Sequence, residues 1–101
     1  MEYYIETAKG SDLRFEGSLL AEISSERTGR GEWTVLRLYR SALGALVLER
    51  HRVRIGKPLI VTADAFQTEQ ELIEHLELRG PLTWLCKRLL DQAGIAHAKN
   101  V

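Results

Sequence analysis

Several features that mark particular protein classes are scarce in this sequence. It has one cysteine and two prolines in 101 residues, and its longest apolar runs span only a few positions. Cys86 has no second cysteine to pair with, so an internal disulfide framework is excluded and a reducing, cytoplasmic location is expected. Apolar runs this short exclude a membrane helix, which needs about 18 or more residues, so no membrane partner is expected. The acidic N-terminus has no basic stretch followed by an apolar one, and no signal peptide is expected.

Motifs for catalysis and for cofactor binding are also missing. The sequence contains neither Gly-x-Gly-x-x-Gly nor Gly-Lys-Ser/Thr, the loops that cradle nucleotide phosphates. His51, His75 and His97 fall on different predicted elements without metal-ligand spacing. Cys86 falls on the apolar face of a predicted helix, where a cysteine acts as a small buried hydrophobe. We therefore expect a non-enzymatic protein with no metal and no cofactor.

The composition indicates one globular domain. Hydrophobic residues make up 45% of the chain and charged residues 28%, which is too apolar for a disordered segment. A chain of this length buries roughly 60–70% of the surface that its unfolded form exposes, enough for a core of its own. No repeat or linker divides it. We predict a single domain over residues 1–95 and a flexible tail over residues 96–101.

Alternation of polar and apolar residues predicts an antiparallel β-meander of four or five strands between about residues 2 and 63. The clearest alternation runs through the second strand, and it predicts one apolar face. The apolar residues of this face are Leu13, Phe15, Leu19, Ala21 and Ile23. Gly17 lies on the same face and indicates a bulge or a place where a neighbour needs room. Residues 59–63 form the fifth strand if they pair with the others.

The third and fourth strands are predicted to form a hairpin over residues 33–53. A three-residue loop that ends with Gly44 in a left-handed conformation sets Arg37 opposite Glu49. If the turn over residues 28–31 pairs Arg27 with Glu32, Glu22 lies opposite Arg37 as well. The sequence thus predicts a row of charges, Glu22–Arg37–Glu49, across three neighbouring strands, which contributes roughly 0.2–1 kcal/mol per pair.

Two helices are predicted in the last third of the chain, over residues 69–78 and 82–93. Thr68 and Glu71 match a capping box at the start of the first helix, and Gly94 ends the second. Each helix has one apolar face, which needs an apolar sheet face to pack on. The predicted fold is therefore α+β, with both C-terminal helices packed on one face of the meander.

Positive charge is concentrated in the middle of the chain. Residues 1–26 have a net charge of −4, residues 27–57 of +6 and residues 58–101 of −2. A basic β-hairpin is one form of nucleic-acid-binding surface, although a zero overall charge is unusual for such proteins. Nucleic-acid or anion binding by this Arg27–Lys57 region is our second hypothesis, ahead of a third, an enzyme with a pocket between the sheet and the helices. The candidate contacts at the open end of the hairpin are Arg27, Arg30, Arg50, Arg52 and Arg54.

The sheet face away from the helices is unusually apolar for a surface in water, and such patches mark interfaces. The predicted interface consists of Leu20, Trp33, Val35, Arg37, Tyr39, Val47 and Val53. Our first hypothesis is a small protein-interaction module that self-associates, as a homodimer, or binds a protein partner through this face. On this hypothesis, Tyr39→Glu breaks the association and leaves the fold intact. The alternative is that a loop, the tail or the first strand covers the face.

Overall fold

The computed structural model describes residues 1–98 and contains a five-stranded antiparallel sheet followed by two helices. Strand order follows the sequence, so the predicted meander and the α+β class are confirmed. The fifth strand pairs with the fourth and runs three residues further than expected. The elements are β1 Glu2–Ile5, β2 Leu13–Ser24, β3 Glu32–Ser41, β4 Leu46–Arg54, β5 Ile60–Phe66, α1 Glu69–Leu76 and α2 Trp84–Ala93.

The β3–β4 hairpin has the register that its loop predicts. Arg37 pairs with Glu49, and Leu38 pairs with Leu48. Gly44 has a φ of 91°, and its N–H donates to the carbonyl of Ser41 at 2.9 Å. This left-handed backbone suits glycine because no Cβ clashes there. The loop therefore sets the pairing of the whole hairpin.

A register shift in β2 reverses the faces of its side chains. Leu19 pairs with Tyr39, but the next pair is Ala21 with Leu38, so Leu20 is an extra residue in the strand. Beyond an inserted residue, odd-numbered side chains point to the face that even-numbered side chains occupy before it. The prediction of a single odd-numbered apolar face is therefore wrong. Leu20 packs against the core beneath the helices, which also corrects its assignment to the opposite face.

Gly17 lies where a neighbouring strand comes close, which is one of the two explanations that the sequence offers for it. A Cβ on this residue would lie 2.3 Å from the Arg40 carbonyl oxygen and 2.9 Å from the Ser41 Cα atom. Both neighbours are backbone atoms of the paired strand β3, which cannot rotate away. The glycine is required by this close approach of two strands, while the bulge itself lies three residues later at Leu20.

Both helices are shorter than predicted. The first ends at Leu76 instead of residue 78, and the second begins at Trp84 because Thr83 is its N-cap. The Thr68 hydroxyl accepts from the Glu71 N–H at 3.1 Å, as a capping box requires. The Glu71 carboxylate, however, accepts from the N–H of Gln67 rather than from that of Thr68.

The helices cover one face of the sheet and form the larger core. Helix α1 packs on β5, and α2 packs on β2 and β3. Burying these apolar side chains contributes on the order of 1.5–3 kcal/mol each. The buried residues are Ala21, Leu36, Leu38, Leu46, Leu48, Leu72, Ile73, Cys86, Leu89, Leu90 and Ile95.

A second core lies on the other face of the sheet, under strand β1. Ile5, Tyr39 and Val47 are buried there, with further apolar side chains from β1, β2 and β5 around them. The ring of Tyr39 lies 4.6 Å from that of Tyr3 and 5.3 Å from that of Phe15, between ring centroids. The sheet curls enough for the connection after β1 to reach β5, where the N–H of Ala8 donates to the Val61 carbonyl.

The predicted exposure of Tyr39 and Val47 is therefore wrong. Their exposed fractions are 5% and 3%, although both were expected to anchor an interface. Of the alternatives left open by the sequence, the first strand covers this part of the face. Trp33, Val35 and Val53, from the same predicted interface, lie beyond this cover and are half-buried.

The end of the described chain packs back on α2. Ile95 is buried, and a ring nitrogen of His97 lies 2.8 Å from an Asp91 carboxylate oxygen. The rest of the predicted tail, residues 99–101, lies outside the described residues. No helix within residues 1–98 is long and apolar enough to cross a membrane.

Candidate functional site

A cleft of about 760 Å³ opens between the sheet and the connection from α1 to α2. Side chains of β3, β4 and β5 line one side of it, and residues 75–86 line the other. We call it the arginine cleft after the four side chains that give it its charge. These are Arg30, Arg50, Arg52 and Arg79.

The alternation of strand β4 brings two of these arginines to the cleft. Leu48, Arg50 and Arg52 share one face of the sheet because side chains two apart point to the same side. Leu48 lies in the core beneath the helices, whereas the two arginines continue past it and are exposed. Arg30 comes from the β2–β3 connection and Arg79 from the α1–α2 connection.

The four arginines form no ion pair within residues 1–98, in contrast to Arg14, Arg37 and Arg40. Arg14 pairs with Glu2, and Arg40 pairs with Glu69. The carboxylates of Glu32 and Asp64 also line the cleft. An oxygen of the Asp64 carboxylate lies 3.8 Å from the Nε2 atom of His75. The cleft therefore has an excess of uncompensated positive charge.

The structure brings together three of the five arginines proposed from the sequence. Arg30, Arg50 and Arg52 line the cleft, while Arg27 lies in an adjoining depression. Arg54 pairs in register with Glu32 and lines neither space. Arg79 was missed. No local pattern could have found it, since its position depends on how α1 packs against β5.

The adjoining depression has a volume of about 250 Å³ and shares Ser25 and Arg30 with the cleft. Trp84 lines it and has an exposed fraction of 54%. The guanidinium carbon of Arg88, one helical turn further along, lies 5.2 Å from the centre of its rings. Sequence reasoning also missed this tryptophan, although it begins a helix whose apolar residues are otherwise buried.

The opposite face of the sheet holds the predicted row of charges. Arg37 pairs with Glu22 through its Nε atom, and one Nη lies 3.8 Å from the Glu49 carboxylate. Glu49 is buried and accepts a hydrogen bond of 2.5 Å from the hydroxyl of Tyr39. Its other oxygen lies 2.5 Å from a ring nitrogen of His51. With partners on both oxygens, this carboxylate is part of the fold's internal network.

The network changes the proton affinity of two of its members. Burial, followed by the hydrogen bond to Glu49, raises the pKa of Tyr39 above its ordinary value. The hydrogen bond to Glu22 raises the pKa of Arg37. Both shifts favour the protonated forms, in which the phenol and the guanidinium donate to the carboxylates.

The raised pKa of Tyr39 predicts a loss of stability in alkali. The unfolded chain releases this proton near pH 10 while the folded chain keeps it. The stabilisation is therefore complete below about pH 10 and decreases above it, by up to about 1.4 kcal/mol per pH unit. Urea unfolding at pH 9 and pH 11 should show a larger loss in the wild type than in Tyr39→Phe, which lacks the proton. Equal losses would contradict the shift.

Comparison with known proteins gives no indication of function, so the function is argued from the residues themselves. The sequence matches no protein-family model, no curated protein and no solved structure. Among residues 1–98, no group of three or more His, Cys, Asp and Glu side chains is arranged to hold a metal ion. In the arginine cleft, arginines without an ion pair in residues 1–98 surround an accessible volume.

Proposed function

We propose that this protein is a non-catalytic binding module that holds a phosphate-bearing polyanion in the arginine cleft. The observation that carries the proposal is the set of four arginines around one cleft, none of which forms an ion pair with another described residue. A guanidinium group is charged at every physiological pH, and its forked donors match the oxygens of a phosphate. This develops the second hypothesis drawn from the sequence.

The arrangement favours an anion from outside the chain over a purely structural role. Like charges gathered at one site repel each other, and a bound anion removes that repulsion. The chain has as many acidic as basic side chains, 14 of each, yet none of the carboxylates within residues 1–98 forms an ion pair with the cleft arginines. A zero net charge is compatible with this function because four of the basic side chains are gathered around one cleft.

The first sequence hypothesis, self-association or partner binding through the sheet face, has weaker support. Two of its central anchors belong to the second core, and Trp33, Val35 and Val53 are the half-buried apolar residues left to it. A cytoplasmic location remains part of our proposal. The buried, unpaired Cys86 is compatible with a reducing compartment.

Neutralising Arg50 and Arg52 together is the direct test. We expect Arg50→Gln/Arg52→Gln to weaken the binding of inorganic polyphosphate at least 10-fold. The slope of log affinity against log salt concentration should also become shallower by about two, one for each lost phosphate contact. Isothermal titration calorimetry between 50 and 200 mM salt measures both quantities.

Lys9→Gln/Arg14→Gln is the matched control, because it removes the same charge from residues that do not line the cleft. We expect it to bind like the wild type. Equal weakening by both double variants would show that only overall charge matters and would overturn the cleft as the site. Absence of polyphosphate binding by the wild type would overturn the proposed function itself.

A further inference from the structure

We infer that the ligand of the arginine cleft is single-stranded nucleic acid, held by its phosphates in the cleft and by a base stacked on Trp84. The inference rests on the proposed function and adds the class of ligand. It is carried by the adjoining depression, where an exposed aromatic ring lies next to the basic cleft.

The two spaces form one track for an extended polyanion. Arg30 and Ser25 line both of them, so a chain that leaves the cleft passes directly into the depression. Arg50 and Arg52 lie on the cleft side of this junction, and Arg27 lies on the other side. Arginines thus line both parts of the track and outnumber its carboxylates, of which Glu26 lines the depression, and a sugar–phosphate backbone can follow them.

Trp84 is placed to act as a stacking platform. Its position is set by the start of α2, where the Thr83 hydroxyl accepts from the N–H of Cys86. Helix α2 buries Cys86, Leu89 and Leu90, yet it leaves more than half of the tryptophan in solvent. Arg88 lies against the ring and limits its rotation through a cation–π contact. A nucleobase can stack on such a ring whatever its identity.

The same geometry favours a single strand over a duplex. In a duplex the bases are stacked on each other inside the helix, so none is available to Trp84. In a single strand the bases turn outward while the phosphates follow the arginines. The combination of a basic groove and an exposed aromatic side chain is the arrangement by which proteins bind single strands without strong sequence preference.

The test compares two ligands with the same phosphates. Fluorescence anisotropy is measured with a 12-nucleotide oligo(dT) and with an abasic 12-mer, using the full chain at 50 mM salt. We expect the wild type to bind oligo(dT) about 10-fold more tightly than the abasic strand. Trp84→Ala should remove this advantage and leave the affinity for the abasic strand unchanged, while Trp84→Tyr should retain most of it.

Leu43→Ala is the control, since it shortens an even more exposed hydrophobic side chain at the tip of the β3–β4 hairpin and should have no effect. Three results would overturn the inference. If the wild type binds both strands equally tightly and Arg50→Gln/Arg52→Gln binds neither, the proposed function stands and the nucleobase contact is wrong. Tighter binding of a 12-base-pair duplex than of oligo(dT) would exclude the single strand. If neither strand nor polyphosphate binds, both proposals fail.

Discussion

Replacing Tyr39 with glutamate is expected to unfold the protein. The ring of Tyr39 packs against those of Tyr3 and Phe15 in the second core, and its hydroxyl donates to the buried carboxylate of Glu49. Glutamate at this position removes the aromatic packing and places a second carboxylate beside the first. Two carboxylates that share a buried site cannot both ionise without strong repulsion.

The size of this effect is comparable to the stability of the whole domain. Loss of a large buried aromatic side chain costs about 3–5 kcal/mol, and burying an unpaired charge costs several more. A domain of this length has a total stability of roughly 5–15 kcal/mol. Circular dichroism and the dispersion of amide signals in NMR spectra should therefore show a largely unfolded chain at 25 °C.

Trp33→Glu is the matched control for this variant. Trp33 lies on the same strand but is only half-buried, and it lies outside the second core. We expect this variant to stay folded. A Tyr39→Glu variant that stays folded and only changes the mass in solution would contradict the second core. Such a result would restore the sheet face as a protein interface.

Removing the carboxylate of Glu49 is expected to destabilise the fold by about 3–5 kcal/mol, because it leaves the buried hydroxyl of Tyr39 without an acceptor and takes a carboxylate from two half-buried groups. In Glu49→Ala the hydroxyl of Tyr39, the ring of His51 and the guanidinium of Arg37 all lose a contact. The row of charges predicted from the sequence thus has a buried carboxylate, that of Glu49, at one end and an exposed carboxylate, that of Glu22, at the other.

Glu22→Ala provides the comparison, because Glu22 pairs with the same guanidinium from the exposed end of the row. The exposed fraction of its side chain is 48%, against 8% for that of Glu49. A pair at such an exposed site contributes only about 0–1 kcal/mol. Urea unfolding at pH 7 should therefore separate the two variants by at least about 2 kcal/mol. Equal losses would show that burial does not set the strength of this network.

The two faces of the sheet differ in how their charged side chains are partnered. One face carries the helices and, past their ends, the arginine cleft, where unpaired charge meets solvent. The other face is closed by β1 over a polar network whose members already bind each other. We therefore expect variants of this polar network to alter stability, and variants of the cleft to alter binding.

Features that depend on neighbouring residues could be predicted from the sequence. The hairpin register followed from a loop that ends in Gly44, and the row from Glu22 to Glu49 followed from that register. The start of α1 followed from Thr68 and Glu71. In each case the turn or the cap is specified by residues a few positions apart, so the local pattern determines the local structure.

Other features were decided only by the tertiary structure. The extra residue at Leu20 reversed the faces of β2, and β1 closed over Tyr39, because both depend on how the curled sheet packs against itself. Arg79 reached the cleft only through the packing of α1. Alternation shows that a strand has two faces, but it does not show what covers each face. The sequence by itself therefore determined the order of the elements and the register of the β3–β4 hairpin, whereas the three-dimensional packing decided which side chains are buried and which meet in the cleft.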